Sequence, residues 1–203
     1  MNSIEKLTRI FAEFPGIGPR QARRFVYYLL TRANGTLEEL SKNIAELKKD
    51  ISTCPGCRRF YEKKYDGQAI CNICSDSERE SGILMLVQRD IDLESIEKTG
   101  NFNGVYFVLG GSVPILEKEP EKRIRVKDLE SRIKEDKKIK EIILGVNWNP
   151  EGENTGIFVE KFLKSLAEER KIKITHLGKG LSMGSELEYT DPDTLKNALK
   201  NRQ

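Results

Sequence analysis

All four cysteines of this chain fall in two knuckles, Cys54-x2-Cys57 and Cys71-x2-Cys74. A CxxC pair turns two thiolates onto one tetrahedral ion, and two such pairs close a four-thiolate site. Two disulfides are the competing chemistry. The start, Met1 to Ile10, is amphipathic and carries Glu5, with no apolar run of the kind a secretory leader needs. A reducing compartment is therefore expected, where this spacing means metal rather than bridges. The expectation is one structural zinc ion held by Cys54, Cys57, Cys71 and Cys74.

A second chemistry-bearing stretch is Pro15-Gly16-Ile17-Gly18-Pro19, followed by Arg20 and Arg24 one helical turn apart. Glycines at Gly16 and Gly18 can take positive φ and let another backbone come close. The amides opening the next helix then face outward, where the helix dipole favours an anion. No acidic residue lies between Phe14 and Leu37, whereas Arg20, Arg23, Arg24 and Arg32 all do. Together these make a helix-hairpin-helix grip for a DNA phosphate. Such a grip reads backbone and not bases, so it binds without sequence preference and weakens with salt. An ordinary αα-turn with solvated arginines is the alternative.

The third stretch, Asn147-Trp148-Asn149-Pro150-Glu151-Gly152-Glu153, follows the apolar run Glu141 to Val146. Ligands of open α/β sheets collect at the carboxyl ends of strands, so chemistry would sit in this loop. Glu151 and Glu153 are either working groups or acids favoured by a helix N-terminus. Trp148, the single tryptophan, is either an anchor for a partner or a cover for the edge of the sheet.

Hydrophobic periodicity places these stretches on elements. Helices are expected over residues 3 to 12, with Ser3 as cap, and 19 to 31, closed by Asn34-Gly35; Thr36 caps another over 37 to 49. Residues 52 to 77 form the zinc segment, too short and polar for a core of its own, so the metal supplies most of its folding free energy. Apolar runs at 83–87, 105–109, 141–146 and 173–177 read as buried strands. Helices at 92–99, 127–136, 155–170 and 194–201 alternate with or follow them. That alternation means a mainly parallel sheet covered on both faces. The mixed charges from Glu121 to Glu141 read as a solvated helical face.

No segment approaches the roughly 20 apolar residues of a membrane helix. A net charge of +3 over 203 residues permits nucleic-acid binding without announcing it. His176, the only histidine, lies in a strand and reads as structural, and no second histidine exists to build a base network. Gly110-Gly111 lacks the lysine and serine of a phosphate loop and reads as a turn. The spacer Arg58 to Ile70 carries Arg58, Arg59, Lys63 and Lys64 among Phe60, Tyr61 and Tyr65. It reads as an extended loop with a solvated basic face, with base stacking as the alternative.

The loop after the third strand resembles the Toprim pattern of topoisomerases and primases, an Asp-x-Asp with Glu-Gly-Glu. Here both aspartate positions are amides, Asn147 and Asn149, and the acid at the end of the first strand falls on Gln88. Carboxylates bring the charge a hard cation needs, and carboxamides keep only the shape. Three such replacements disarm metal-assisted phosphoryl chemistry.

With hairpin, four cysteines and degenerate Toprim in that order, the chain closely resembles the bacterial RecR recombination mediator family along its whole length. The motifs are Phe14 to Pro19, Cys71 to Ser75, Ile96 to Gly100, Tyr106 to Gly111, Glu151-Gly152-Glu153 and Gly180 to Tyr189. The resemblance implies a protein without catalysis of its own, a ring-shaped homotetramer working with RecO and RecF. Together they load RecA onto SSB-coated single-stranded DNA at gaps. It implies a cytoplasmic, nucleoid-associated location and contact with both single- and double-stranded DNA. It places the DNA contact on Arg20 and Arg24, with Gly16 and Gly18. The family's docking region falls on Gln88, Asn147, Trp148, Asn149, Glu151 and Glu153. The family usually has glutamate at the Gln88 position, and proline and glycine at Ser182 and Ser185, whose replacement loosens that loop. Residues 117 to 125 match it poorly and carry no assigned role.

The expected architecture is α+β in several parts. A helix-hairpin-helix domain spans 1–51, a four-cysteine zinc finger 52–78, an α/β Toprim domain 79–178, and a loop and helix 179–203. Two rival functions remain at this level. A Toprim nuclease or primase would use Glu151 and Glu153, and a sequence-specific zinc-ribbon regulator would discriminate between DNA sequences.

Overall fold

The computed structural model describes residues 1–203 except 66, 179, 182, 183, 185 and 201–203, with residue 193 described by its backbone alone. The expectations for Ser182, Ser185 and Asn201 lie outside the described residues. The chain divides into two compact units, Met1–Ile51 and Ser52–Gln203.

The first unit is helical. Asn2, not Ser3, caps α1 (Ser3–Ala12): its side chain accepts from Glu5 N at 2.9 Å, and the Glu5 carboxylate accepts from Asn2 N at 3.1 Å. This reciprocal box satisfies two orphan amides at once, which Ser3 inside the first turn could not do. Phe11 meets Phe14 and Phe25 edge-on, at 5.8 and 5.9 Å between centroids, and so joins α1 to α2 (Pro19–Leu30). Only Ala22 and Val26 of α2 are buried. α3 runs from Asn34 to Asp50 and takes Ala33 as its cap, so Asn34-Gly35 opens this helix instead of standing between two. With so little chain, Leu7, Leu30, Leu40 and Ile44 remain exposed and line an apolar groove.

In the second unit β1 (Ile51–Thr53) and β2 (Phe60–Glu62) form a two-stranded ribbon, and α4 (Asn72–Ser75) is one short turn. Four parallel strands follow: β3 (Glu80–Val87), β4 (Gly104–Val108), β5 (Glu141–Gly145) and β6 (Lys173–His176), in the order β4-β3-β5-β6. Between them run α5 (Asp90–Glu97), α6 (Val126–Glu135) and α7 (Pro150–Arg170), and α8 (Pro192–Lys200) comes last.

Alternation along β3 explains its unbroken apolar run. Leu84 and Leu86 join one core with Val126, Leu129 and Ile133 of α6 and Val159 and Leu163 of α7. Met85 and Val87 join another with Leu93 of α5 and, unforeseen in the sequence, with Cys54, Cys57, Cys71, Tyr61 and Ile73. The four-cysteine segment therefore has apolar partners, supplied by the sheet. It also covers the free edge of β4, where Val108 N donates to Cys57 O at 2.8 Å. Lys127, Lys134 and Glu135 of α6 do face outward, but Val126, Leu129 and Ile133 on its opposite side are buried, and Arg132 is partly enclosed.

α7 begins at Pro150, five residues before the expected start, because Asn149 caps it through a 2.8 Å bond from Gly152 N. Pro150 at the first helical position has no amide to leave unsatisfied. Among the described residues no helix is long and apolar enough to cross a membrane.

Candidate functional site

The hairpin between α1 and α2 is built by Gly16, at φ +77°, with Ile17 N donating to Phe14 O at 3.0 Å. Gly18 departs from expectation: it is extended, at φ −80°, and serves as the cap of α2 without any side chain to satisfy the helix amides. A Cβ at Gly16 or Gly18 would meet nothing within 4 Å, so the approach to those amides is open. Arg20 and Arg24 are both exposed beside it, and Arg24 Nη1 donates to Gln21 Oε1 at 3.3 Å. The hairpin thus presents uncapped amides and guanidinium groups together, the chemistry of a phosphate cradle.

The cysteines converge as their spacing requires. Their four Sγ atoms all lie within 4.8 Å of one another. An ion bound tetrahedrally at about 2.3 Å sets its sulfurs roughly 3.8 Å apart, so the cluster has the right size. Cys54, Cys57 and Cys71 are fully buried and Cys74 partly so. Hydrogen bonding from Cys57 holds the Cys54 thiol far below the usual range, while contact with Cys54 drives Cys57 and Cys74 far above it. Cys71, raised by Cys54 but lowered by Cys57 and Cys74, comes down to about 7. Ionising one thiol thus opposes ionising its neighbours, and four thiolates at this spacing require a cation among them. The donor set fits a four-coordinate metal ion.

The strand order reverses between β3 and β5, and the crevice beyond their carboxyl ends holds the third group of residues. Gln88 is 3% exposed, and its Oε1 accepts from Asn147 N at 2.9 Å, tying the two strand ends together. This corrects its assignment to a partner contact: the side chain is inside, held by the backbone of the adjoining loop. Asn149 is occupied as the α7 cap, and Glu151 and Glu153 stand exposed in the first turn of that helix, not in a loop. Glu151 Oε2 accepts from Ser112 Oγ at 3.0 Å. Trp148 is 46% exposed and follows β5, an inner strand of the sheet.

Residues given no role by the sequence hold this region in place. Buried Thr155 Oγ1 donates to Glu151 O at 2.6 Å and accepts from Val113 N at 2.8 Å. Asn154 Nδ2 donates to Val113 O and Pro114 O at 2.9 and 3.2 Å. Ser112 and Val113 lie some forty residues upstream, so no local pattern announced these bonds. His176 sits on β6, exposed, with Nε2 3.8 Å from Glu160 Oε2.

Comparison with known proteins supplies the assignment. Residues 4–48 match the family model "RecR, helix-hairpin-helix", 82–178 "Toprim domain" and 180–203 "RecR, C-terminal". The Recombination protein RecR of Lactobacillus acidophilus is 34% identical over 98% of this chain and 96% of its own length. The chain belongs to the RecR family. The RecR of Phytoplasma mali is 36% identical over 98% of this chain and 94% of its own length. That of Rickettsia bellii is 34% identical over 100% of this chain and 96% of its own. RecR membership supports a role in recombination repair, carried on a helix-hairpin-helix, a Toprim fold and a four-cysteine cluster with metal-site geometry.

Proposed function

We propose that this RecR-family chain is a non-catalytic, DNA-binding recombination mediator. In this reading the unit 1–51 grips phosphates through Gly16, Gly18, Arg20 and Arg24, without sequence preference and on single- or double-stranded DNA. Segment 52–78 is held by one zinc ion on Cys54, Cys57, Cys71 and Cys74. The domain 79–178 offers its switch-point surface, Asn147 to Glu153, to RecO and RecF, and 179–203 is a loop and helix that follow it. RecA loading onto SSB-coated gaps is the outcome, in the bacterial cytoplasm at the nucleoid. A ring-shaped tetramer is the assembly, and the uncovered groove beside Leu7, Leu30, Leu40 and Ile44 supports contact between copies through the helical unit.

The observation that carries the non-catalytic part is the use made of the amides in the Toprim crevice. Gln88 Oε1 and Asn149 Oδ1 are both committed to backbone amides, at 2.9 and 2.8 Å, and bring no charge to a hard cation. The second reading, a nuclease or primase, rests on Glu151 and Glu153 standing exposed together on α7. It predicts magnesium-dependent cleavage or synthesis, and product in either assay would establish it.

The test of the DNA reading is the double substitution Arg20→Glu with Arg24→Glu. Fluorescence anisotropy on labelled DNA should show binding abolished, with metal content and circular dichroism unchanged. For the parent, affinity should fall steeply with salt and ignore base sequence. Unaltered affinity in the double variant would refute the grip.

A further inference from the structure

Four thiolates around a divalent ion carry a net charge of −2. Three of the ligands here are wholly buried, and buried charge is costly unless matched nearby. Among the described residues, two buried side-chain nitrogens lack a hydrogen-bond partner, Arg58 Nε and Arg132 Nε. Both belong to arginines beside the cysteine cluster. Arg58 follows Cys57 directly, at φ +62°, and its Nε lies 3.1 Å from Asp128 Oδ2 but out of line for a hydrogen bond. Arg132 comes from α6. A Cβ added at Gly56, inside the first knuckle, would meet Cys74 Sγ at 3.2 Å and Arg132 Nη1 at 3.7 Å. Its guanidinium therefore reaches the same small space as the least buried sulfur. On its other nitrogen it pairs with Asp136, Nη2 to Oδ2 at 3.1 Å, which fixes its orientation.

We propose that Arg132 is a positioning residue of the metal centre, a cation from α6 that offsets the charge of the thiolate cluster beside Cys74. This rests on the reading of the four cysteines as a metal site. It explains why a helix packed on one core of the sheet sends a charged side chain to a segment packed on the other. It also makes α6 part of the metal site, with Arg125 Nη1, at the N-cap of that helix, donating to Arg58 O at 2.8 Å as a second tie. Neighbouring groups that orient ligands and set their charge typically change metal affinity by about 10-fold to 100-fold.

The test uses the full-length, metal-loaded protein and three substitutions: Arg132→Gln, Arg132→Lys and, as a control on the same helix, Lys134→Gln. Metal transfer to excess 4-(2-pyridylazo)resorcinol is followed by absorbance, and iodoacetamide alkylation is mapped to each cysteine by mass spectrometry. Arg132→Gln should release metal roughly 10-fold faster or more and speed alkylation most at Cys74, the thiolate that loses its cation. Arg132→Lys should restore much of the parent behaviour, and Lys134→Gln should match the parent. A purely structural Arg132 would instead speed alkylation of all four cysteines together, in step with a lower melting temperature, and that result overturns the inference. So does an Arg132→Gln protein that releases metal at the parent rate. A parent protein purified without metal overturns the metal reading itself, and this inference with it.

Discussion

Gly152 shows how closely the start of α7 is laid on the end of β5. A Cβ there would fall 2.0 Å from the Asn147 carbonyl oxygen, which is backbone and cannot swing aside. Gly152→Ala should therefore cost about 3 kcal/mol, the upper end of typical overpacking, and urea denaturation measures it. An alanine variant as stable as the parent would show that the helix start yields without cost. Glu97 makes a different residue-scale case. Burial works against its charge, but hydrogen bonds from Arg79 and Tyr106, with the Arg79 charge, hold it below the usual carboxylate range. A depressed carboxyl contributes stability that is fully present above its unfolded pKa, near 4.3, and is lost as pH falls through the folded value. Stability should thus hold to about pH 5 and decline below it, and Glu97→Gln should flatten that decline. An identical acid limb in the variant would contradict this.

At the scale of elements, caps decide where helices begin. Asn149 starts α7 early enough to draw Glu151 and Glu153 into its first turn. Asn149→Ala should cost about 1 kcal/mol, while Asn149→Asp should keep the cap. Equal stability of all three in chemical denaturation would remove this role for Asn149. Most helices were legible in the sequence by their period, and the runs at Leu84 to Val87 and Val105 to Val108 by their shortness, their β-branched and aromatic residues and the glycines around them, which mark strands buried on both faces. The starts of α3 and α7 were not, since Asn-Gly and Pro-Glu-Gly-Glu look like breakers; Asn149 caps α7 through its side chain, whereas Ala33 begins α3 without one. Which carboxamide holds which amide depends on contacts across the sheet, as with Gln88 and Asn147, 59 positions apart.

For the molecule as a whole, the consequence of sharing a core is that the metal and the sheet are one folding problem. Cys54, Cys57 and Cys71 pack with Met85, Val87, Tyr106 and Val108. Stripping the ion with a strong chelator, or replacing Cys57 by Ser, should lower the melting temperature of the α/β unit by roughly 10 °C or more. A transition unmoved by chelator would show that the sheet stands without its metal.

By itself the sequence determined the element types, the four metal ligands, the basic hairpin and the loss of acids in the Toprim pattern. Each is a matter of residue type and short spacing, which chain periodicity and ligand chemistry fix locally. Only the tertiary structure decided that Gln88 is inside and that the cysteine segment covers the second face of the sheet. The same holds for Arg132, which comes to Cys74 from 58 positions away. Those facts rest on packing and hydrogen bonds between distant segments, whose partners are chosen by the closing of a common core and not by their neighbours along the chain.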